Sequence, residues 1–228
     1  MHTTPSRRFF WLGLPLWTGC AAMGTLQTAD TVGAGKTRWS AQVMAQGVTD
    51  GGEDSVPLPR VAVEVRHGLS ERVEVGARAS TFGLEVSGKV ELVESRGSPW
   101  AVSLAPVVGV QQLTMRFDRA MAYSEQRYAA LPVLVGWASV GGSQLVLGLR
   151  PTWLYFPRVL STPAENAFAL GGSLGYAFPV GSRVRLMPEV AVMLPVGPLP
   201  TTTAMRTEGL KPHVQLGMAV MLDSGGDE

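Results

Sequence analysis

Cysteine is almost absent from this chain. Its 228 residues include one, Cys20, so no intrachain disulfide can form. Histidine is nearly as scarce, with three copies, His2, His67 and His213. A zinc-type centre needs several His, Cys or carboxylate groups to converge, so neither a metal nor a cofactor is expected. Charged residues make up 16%, against about 25% in ordinary soluble proteins. Basic and acidic residues number 19 and 18, a net charge of +1, which leaves no basic footprint for nucleic acid. The body of the chain has no uncharged apolar run of about 18 residues, so no helix there is expected to cross a bilayer. Any crossing has to be made by strands.

What the chain does have is alternation, clearest over 60–94. Val61, Val63 and Val65 alternate with Ala62, Glu64 and Arg66. After the Gly68-Leu69-Ser70 corner, Val73, Val75, Ala77 and Ala79 alternate with Arg72, Glu74, Gly76 and Arg78. Beyond a break at 81–83, Val86, Gly88, Val90 and Leu92 alternate with Glu85, Ser87, Lys89 and Glu91. A period of two puts one set on each face of a strand. Three antiparallel strands are predicted, apolar on one face and charged on the other. Glu64, Arg66, Arg72, Glu74, Arg78, Glu85, Lys89 and Glu91 then form a ladder of opposite charges across neighbouring strands.

The same period predicts seven more strands, over 36–47, 100–111, 127–139, 143–155, 166–178, 183–194 and 210–222. Pro106 lies inside one of them, where it removes a ladder donor. The strands are mostly about 10–13 residues, longer than the usual five or six and suited to the 9–11 that a tilted strand needs to cross a bilayer. The connections at 67–71, 95–99, 139–143 and 179–182 are short. Those at 48–57, 112–126, 156–165 and 195–209 are long, and the link at 80–84 is the exception. Aromatic residues gather near the strand ends: Trp39, Trp100, Trp137, Trp153, Tyr155, Tyr176 and Phe178.

The start of the chain reads as an export signal. Arg7 and Arg8 precede an apolar run from Phe9 to Trp17, and Thr18-Gly19-Cys20 closes it. A small residue directly before cysteine resembles a bacterial lipobox, which implies an acylated Cys20 as the first mature residue. The motif usually has leucine where Trp17 stands. Ser6-Arg7-Arg8-Phe9-Phe10 also resembles a twin-arginine export motif, a route for folded cargo. The domain reading is a signal peptide at 1–19, a lipid-attached tether at 20–35 of small polar residues, a β domain at 36–222 and a flexible tail at 223–228.

Ten long strands with short turns on one rim and long loops on the other resemble the small outer-membrane β-barrel proteins of Gram-negative bacteria. The resemblance covers about 36–222 and is architectural. It implies an all-β, antiparallel, up-and-down transmembrane barrel in the outer membrane, with both termini periplasmic and a lipid on Cys20 anchored from that side. The aromatics then form interfacial girdles, and the charge ladder fills the lumen. The expected role is structural or surface-interacting and non-enzymatic. Its partners would be outer-membrane lipid and, through the long loops 48–57, 112–126, 156–165 and 195–209, a small polar solute or a surface partner. Two alternatives stay open: a narrow, weakly selective channel lined by the same charges, and a soluble periplasmic lipocalin-like carrier with its apolar face inward. Periodicity alone does not separate inward from outward.

Other groups are weaker candidates for chemistry. His67 falls at a turn and His213 on a polar strand face, and no partner spacing singles out a nucleophile for either. Asp50, Glu53 and Asp54 could meet a cation in a loop. Gly33-Ala34-Gly35-Lys36-Thr37 matches the end of a phosphate loop in composition but lacks the flanking strand and helix.

Overall fold

The computed structural model describes residues 24–48, 58–93, 98–117, 120–139, 141–157, 164–196 and 213–224. Its strand segments are β1 (Thr37–Val48), β2 (Leu58–Gly68), β3 (Val73–Ser80), β4 (Gly83–Val93), β5 (Trp100–Leu104), β6 (Val107–Phe117), β7 (Ala120–Ala130), β8 (Val133–Ala138), β9 (Gln144–Phe156), β10 (Glu165–Pro179), β11 (Val184–Val196) and β12 (His213–Ser224). Each pairs antiparallel with its neighbour, and β1 meets β12 from Thr37↔Ser224 to Val48↔His213, so the sheet closes on itself. The segments make ten staves, because β5 with β6, and β7 with β8, are single staves broken in the middle.

Proline makes both breaks. Pro106 separates β5 from β6 and Pro132 separates β7 from β8, and neither can donate to a ladder. Both still accept: Ala105 N–H donates to the Pro132 carbonyl at 2.8 Å and Gly88 N–H to the Pro106 carbonyl at 2.9 Å. The unbroken fifth and sixth strands expected from alternation are corrected in this respect, while the closed wall is kept. The expected wide loop at 112–126 is also corrected. Backbone pairing runs on from Gln112↔Glu125 to Phe117↔Ala120, because a ladder needs no apolar alternation once its register is set. The tail is shorter than expected, since Asp223 and Ser224 belong to β12.

The β2–β3, β4–β5, β8–β9 and β10–β11 connections share one rim, here called the turn rim, with the start of β1 and the end of β12. The other five connections lie on the loop rim. One of these is the two-residue Thr81-Phe82 turn, where Ser80 Oγ accepts from Gly83 N–H at 3.1 Å.

The faces divide sharply. Val43, Val63, Val86, Leu149, Leu194 and Leu216 project outward and are exposed, whereas Arg66, Glu74, Arg78 and Lys89 are buried inside. A soluble carrier with an apolar interior is thereby overturned, since the charged set points inward all along β2, β3 and β4. Two apolar clusters share the interior with these charges. One holds Leu26, Ala29, Met44 and Leu134. The other lines the wall toward the loop rim with Val107, Tyr128, Leu154, Ala169 and Met193.

An exposed apolar wall makes a test of what surrounds it. Leu149, in the middle of β9, is 51% exposed, and Leu69, on a turn-rim connection, is 60% exposed. In water, arginine at either site should be close to neutral. In a bilayer, Leu149→Arg should cost about 2–4 kcal/mol and Leu69→Arg about 0–1. Urea unfolding from lipid vesicles measures both, and equal costs would remove the lipid-facing assignment.

Candidate functional site

The lumen is the only place where this fold gathers polar chemistry among the described residues, and the chain's own beginning occupies part of it. Gly24 to Ala29 and Val32 are buried. The expected tether at 20–35 is corrected for 24–35. Those residues are small and, apart from Asp30, uncharged up to Gly35, so they fit a narrow lumen and offer backbone groups to the side chains there.

The segment can be followed upward from the turn rim. Gly35 N–H donates to the Gly68 carbonyl at 2.9 Å and Gly68 N–H to the Lys36 carbonyl at 3.0 Å. Val32 N–H donates to Glu74 Oε2 at 2.8 Å, and Thr31 Oγ1 to Glu91 Oε2 at 3.1 Å. Lys89 Nζ donates to the carbonyls of Asp30, at 2.6 Å, and Thr28, at 3.1 Å. Ala29 N–H donates to Gln144 Oε1 at 2.9 Å, and Arg38 Nη1 to Thr28 Oγ1 at 2.9 Å. Arg66 donates to Gln27. Farther in, Leu26 N–H and Thr25 Oγ1 both donate to Glu189 Oε2 at 3.0 Å. Arg150 Nη1 donates to the Gly24 carbonyl at 3.2 Å. Glu74, Glu91 and Gln144 stand at the turn-rim ends of their strands, while Arg150 stands well inside β9. The segment thus descends from mid-lumen to the turn rim and continues into β1.

Two wall glycines make room for it. A Cβ on Gly68 would run into the Gly33 carbonyl, and one on Gly136 would lie 2.7 Å from the Ala29 Cβ. Leu26 adopts φ 45°, a left-handed backbone that costs a non-glycine residue about 1–3 kcal/mol; the Glu189 carboxylate holds its N–H there. At the foot of the segment, burial pushes the Asp30 carboxyl up, but Arg38, Lys89 and Arg185 outweigh that and hold it below the usual carboxylate range.

The buried charges form two groups. Toward the turn rim, Glu74 accepts from Lys89 Nζ at 2.9 Å and Arg66 Nη1 at 3.0 Å. Arg66 also pairs with Glu64, which accepts from Gln42 Nε2 at 2.7 Å. Toward the loop rim, Glu85 pairs with Arg78 and lies 3.9 Å from Arg60. Of the eight ladder residues read from sequence, the structure places Glu64, Arg66, Glu74, Arg78, Glu85, Lys89 and Glu91 inside. Arg72 is the exception: it is exposed just before β3 begins, where the turn has already left the lumen.

Among the described residues, Arg38, Arg60, Arg150 and Glu189 are buried in the lumen as well and were missing from the ladder. Their signal was the same alternation, Arg60 preceding Ala62 and Glu64 by two and four residues and Arg150 lying between Gly148 and Thr152. The ladder stopped at three strands, although only closure brings the other walls opposite.

Trp39, Trp100, Trp137, Tyr176 and Phe178 lie toward the turn rim, with Trp100 stacked on Trp137 at 6.0 Å and Tyr176 on Phe178 at 5.8 Å. Trp153 and Tyr155, stacked at 6.1 Å, lie toward the loop rim. Cys20, Asp50, Glu53 and Asp54 fall outside the described residues. His67 sits at the turn rim, 3.0 Å from Thr37 Oγ1, and His213 begins β12. Gly33 to Thr37 turns into a strand rather than a helix, so the phosphate-loop match is overturned. Among the described residues no three His, Cys, Asp or Glu side chains are grouped as a metal would need.

These features define a closed ten-stave barrel with an apolar exterior and a charged, internally plugged lumen. No protein-family model matches the sequence, and no curated protein matches it. Solved structures similar in fold include the translocator domain of the autotransporter NalP from Neisseria meningitidis, at 11% identity, covering 83% of this chain and 88% of that one with a TM-score of 0.48. An outer membrane channel from Pseudomonas putida F1 is 8% identical, covering 86% and 98%, TM-score 0.43. The outer membrane protease OmpT from Escherichia coli is 6% identical, covering 82% and 95%, TM-score 0.44. At such identities and scores, nothing about activity passes from these proteins to this chain.

Glu74 is the node that joins wall and plug. Glu74→Gln should destabilise the barrel by about 3–5 kcal/mol, because Lys89 and Arg66 are left buried with too little negative charge. Adding Lys89→Met should restore part of that. Urea unfolding of the single and double variants measures the coupling, and additive losses would show that the two charges do not act as a pair.

Proposed function

We propose that this protein is an outer-membrane barrel that is closed at rest, with a structural or surface-interaction role and no catalytic chemistry. The observation that carries this reading is the course of residues 24–35, whose backbone groups are bonded to lumen side chains on β3, β4, β9 and β11. The exposed Val and Leu wall supports placement in lipid. The lengths of the eight unbroken staves, from 8 to 15 residues, suit a tilted crossing of a bilayer. Outer-membrane lipid is the partner this wall requires, and the loop-rim connections are where a surface partner would be met.

Planar-bilayer recording tests the closed state. The mature chain should show little steady conductance. Deletion of residues 24–34, or Gly136→Val, which drives a side chain into Ala29, should produce openings. A wild-type chain that conducts steadily would favour the narrow channel over this reading.

Acylation of Cys20 belongs to the proposal with one constraint. Arg150, which holds Gly24, stands six residues into β9, about 15 Å above the turn rim at ordinary rise and tilt. Four residues reach at most about 14 Å. The two lengths are nearly equal, so a Cys20 lipid in the periplasmic leaflet would pull on the plug's upper end, and the anchor expected on that side and the plug would compete. If so, chain labelled by a fatty-acid probe should conduct more than Cys20→Ala chain. Equal conductance would separate the two features.

A further inference from the structure

Inward of the plug, three buried arginines, Arg60, Arg78 and Arg150, face two buried glutamates, Glu85 and Glu189, among the described residues. Arg60, Arg78 and Arg150 gather around the single carboxylate of Glu85, and all four are buried. Arg78 pairs with Glu85, and Arg60 reaches it only at 3.9 Å. The further buried carboxylate, Glu189, turns one oxygen to Leu26 and Thr25 of the plug, and its other oxygen, like one oxygen of Glu85, has no hydrogen-bond partner. Arg150 is 3% exposed and Arg60 5%. Nε and Nη2 of Arg150 and Nε of Arg60 are buried with no hydrogen-bond partner. A buried guanidinium with idle donors is costly, and two that flank one carboxylate ask for a second anion.

The wall beside Arg150 is of the opposite character. Its Cζ lies 6.0 Å from the Tyr128 ring centre. On β10 it pairs with Gly171, whose missing Cβ would touch the Arg150 Cβ at 3.4 Å. Gly171 pairs in turn with Met193. Going up β9 and β10, the next inward positions include Leu154, Ala169 and Ala167, which are buried and pack with Tyr128 and Met193. Cationic donors therefore adjoin an apolar, glycine-relieved surface.

We propose that this region of the lumen binds a small organic carboxylate with an apolar body. The carboxylate would be held between Arg150 and Arg60, and the body would lie on the wall formed by Tyr128, Leu154, Ala169 and Met193. The plug lies on the turn-rim side of Arg150, so the ligand arrives from the loop-rim side. The inference goes beyond the closed-barrel reading and uses it only for the lumen's polarity; binding and conductance are measured separately, so either can fail alone.

The test is equilibrium binding to the full mature chain in detergent micelles, with benzoate, acetate and benzamide as probes. Benzoate should bind and raise the unfolding temperature. Acetate should bind about tenfold more weakly for want of an apolar body. Benzamide, of the same shape without the charge, should not bind measurably. Arg150→Gln and Arg60→Gln should each weaken benzoate about tenfold or more, while Arg127→Gln, on the outer face, should leave it unchanged. The three-probe comparison on the wild-type chain keeps the test decisive if an arginine variant fails to fold. Absence of benzoate binding, equal binding of benzamide, or unchanged binding in folded Arg150→Gln and Arg60→Gln chains overturns the proposal.

Discussion

A buried ion that loses water must find its counter-charge and its hydrogen bonds inside the protein, and this barrel is arranged around that requirement. The cost of burying each ion is several kcal/mol even after relaxation, whereas an ordinary hydrogen bond returns about 0.5–1.5. No single contact offsets it, so the lumen charges work in groups. Glu74 takes Lys89, Arg66 and the Val32 amide together, and Lys89 has further acceptors in the Thr28 and Asp30 carbonyls. The plug is therefore held less by its own packing than by the needs of the wall. Its amides and carbonyls supply the ligands that water would otherwise provide.

Glycine placement follows from the same demand. A plug whose backbone must come within hydrogen-bonding distance of wall side chains needs parts of the wall with no side chain. Gly68 and Gly136 provide them: one lets the Gly33 carbonyl approach, the other admits the Ala29 methyl. The strained φ of Leu26 fits this picture, since its amide must turn toward Glu189 at that point. Local backbone preference yields to charge satisfaction.

The wall was legible in the sequence because a strand writes its two faces directly, as Val61-Ala62-Val63-Glu64-Val65-Arg66 does. Stave number, the two rims and the division of β2, β3 and β4 into a charged and an apolar face follow from alternation and turn spacing, whereas which face points inward is seen only in the closed barrel. The prolines gave their positions but not their consequence, because whether Pro106 ends a strand or only interrupts it depends on what the neighbouring strands donate. The plug was not legible. Its partners, Glu74, Lys89, Gln144 and Glu189, are spread over four strands, and a segment bonded to distant side chains has no period of its own. Arg150 and Glu189 carried the correct parity, yet their relation to Arg60 and Glu85 exists only once β9 and β11 curve round to face β2 and β4.

Connectivity explains why such a plug can rest in place without an independent fold. It is continuous with β1, and the Gly35–Gly68 and Gly68–Lys36 hydrogen bonds fasten its lower end to the start of β2–β3. Any part that detaches higher up stays tethered within a few residues of its site, so its effective concentration remains at least millimolar. Rebinding then competes well with release, and loss of one contact shifts the balance without emptying the lumen. The fastening is asymmetric. The lower end is tied by backbone to backbone, whereas the hydrogen bonds at the upper end, at Gly24 and Leu26, run to side chains, those of Arg150 and Glu189. An anion arriving from the loop-rim side would meet Arg150 first at the Nε and Nη2 donors that the plug leaves free, so ligand and plug share one guanidinium through different nitrogens. An anion bound there and the seated plug would thus bear on the same Arg150 side chain.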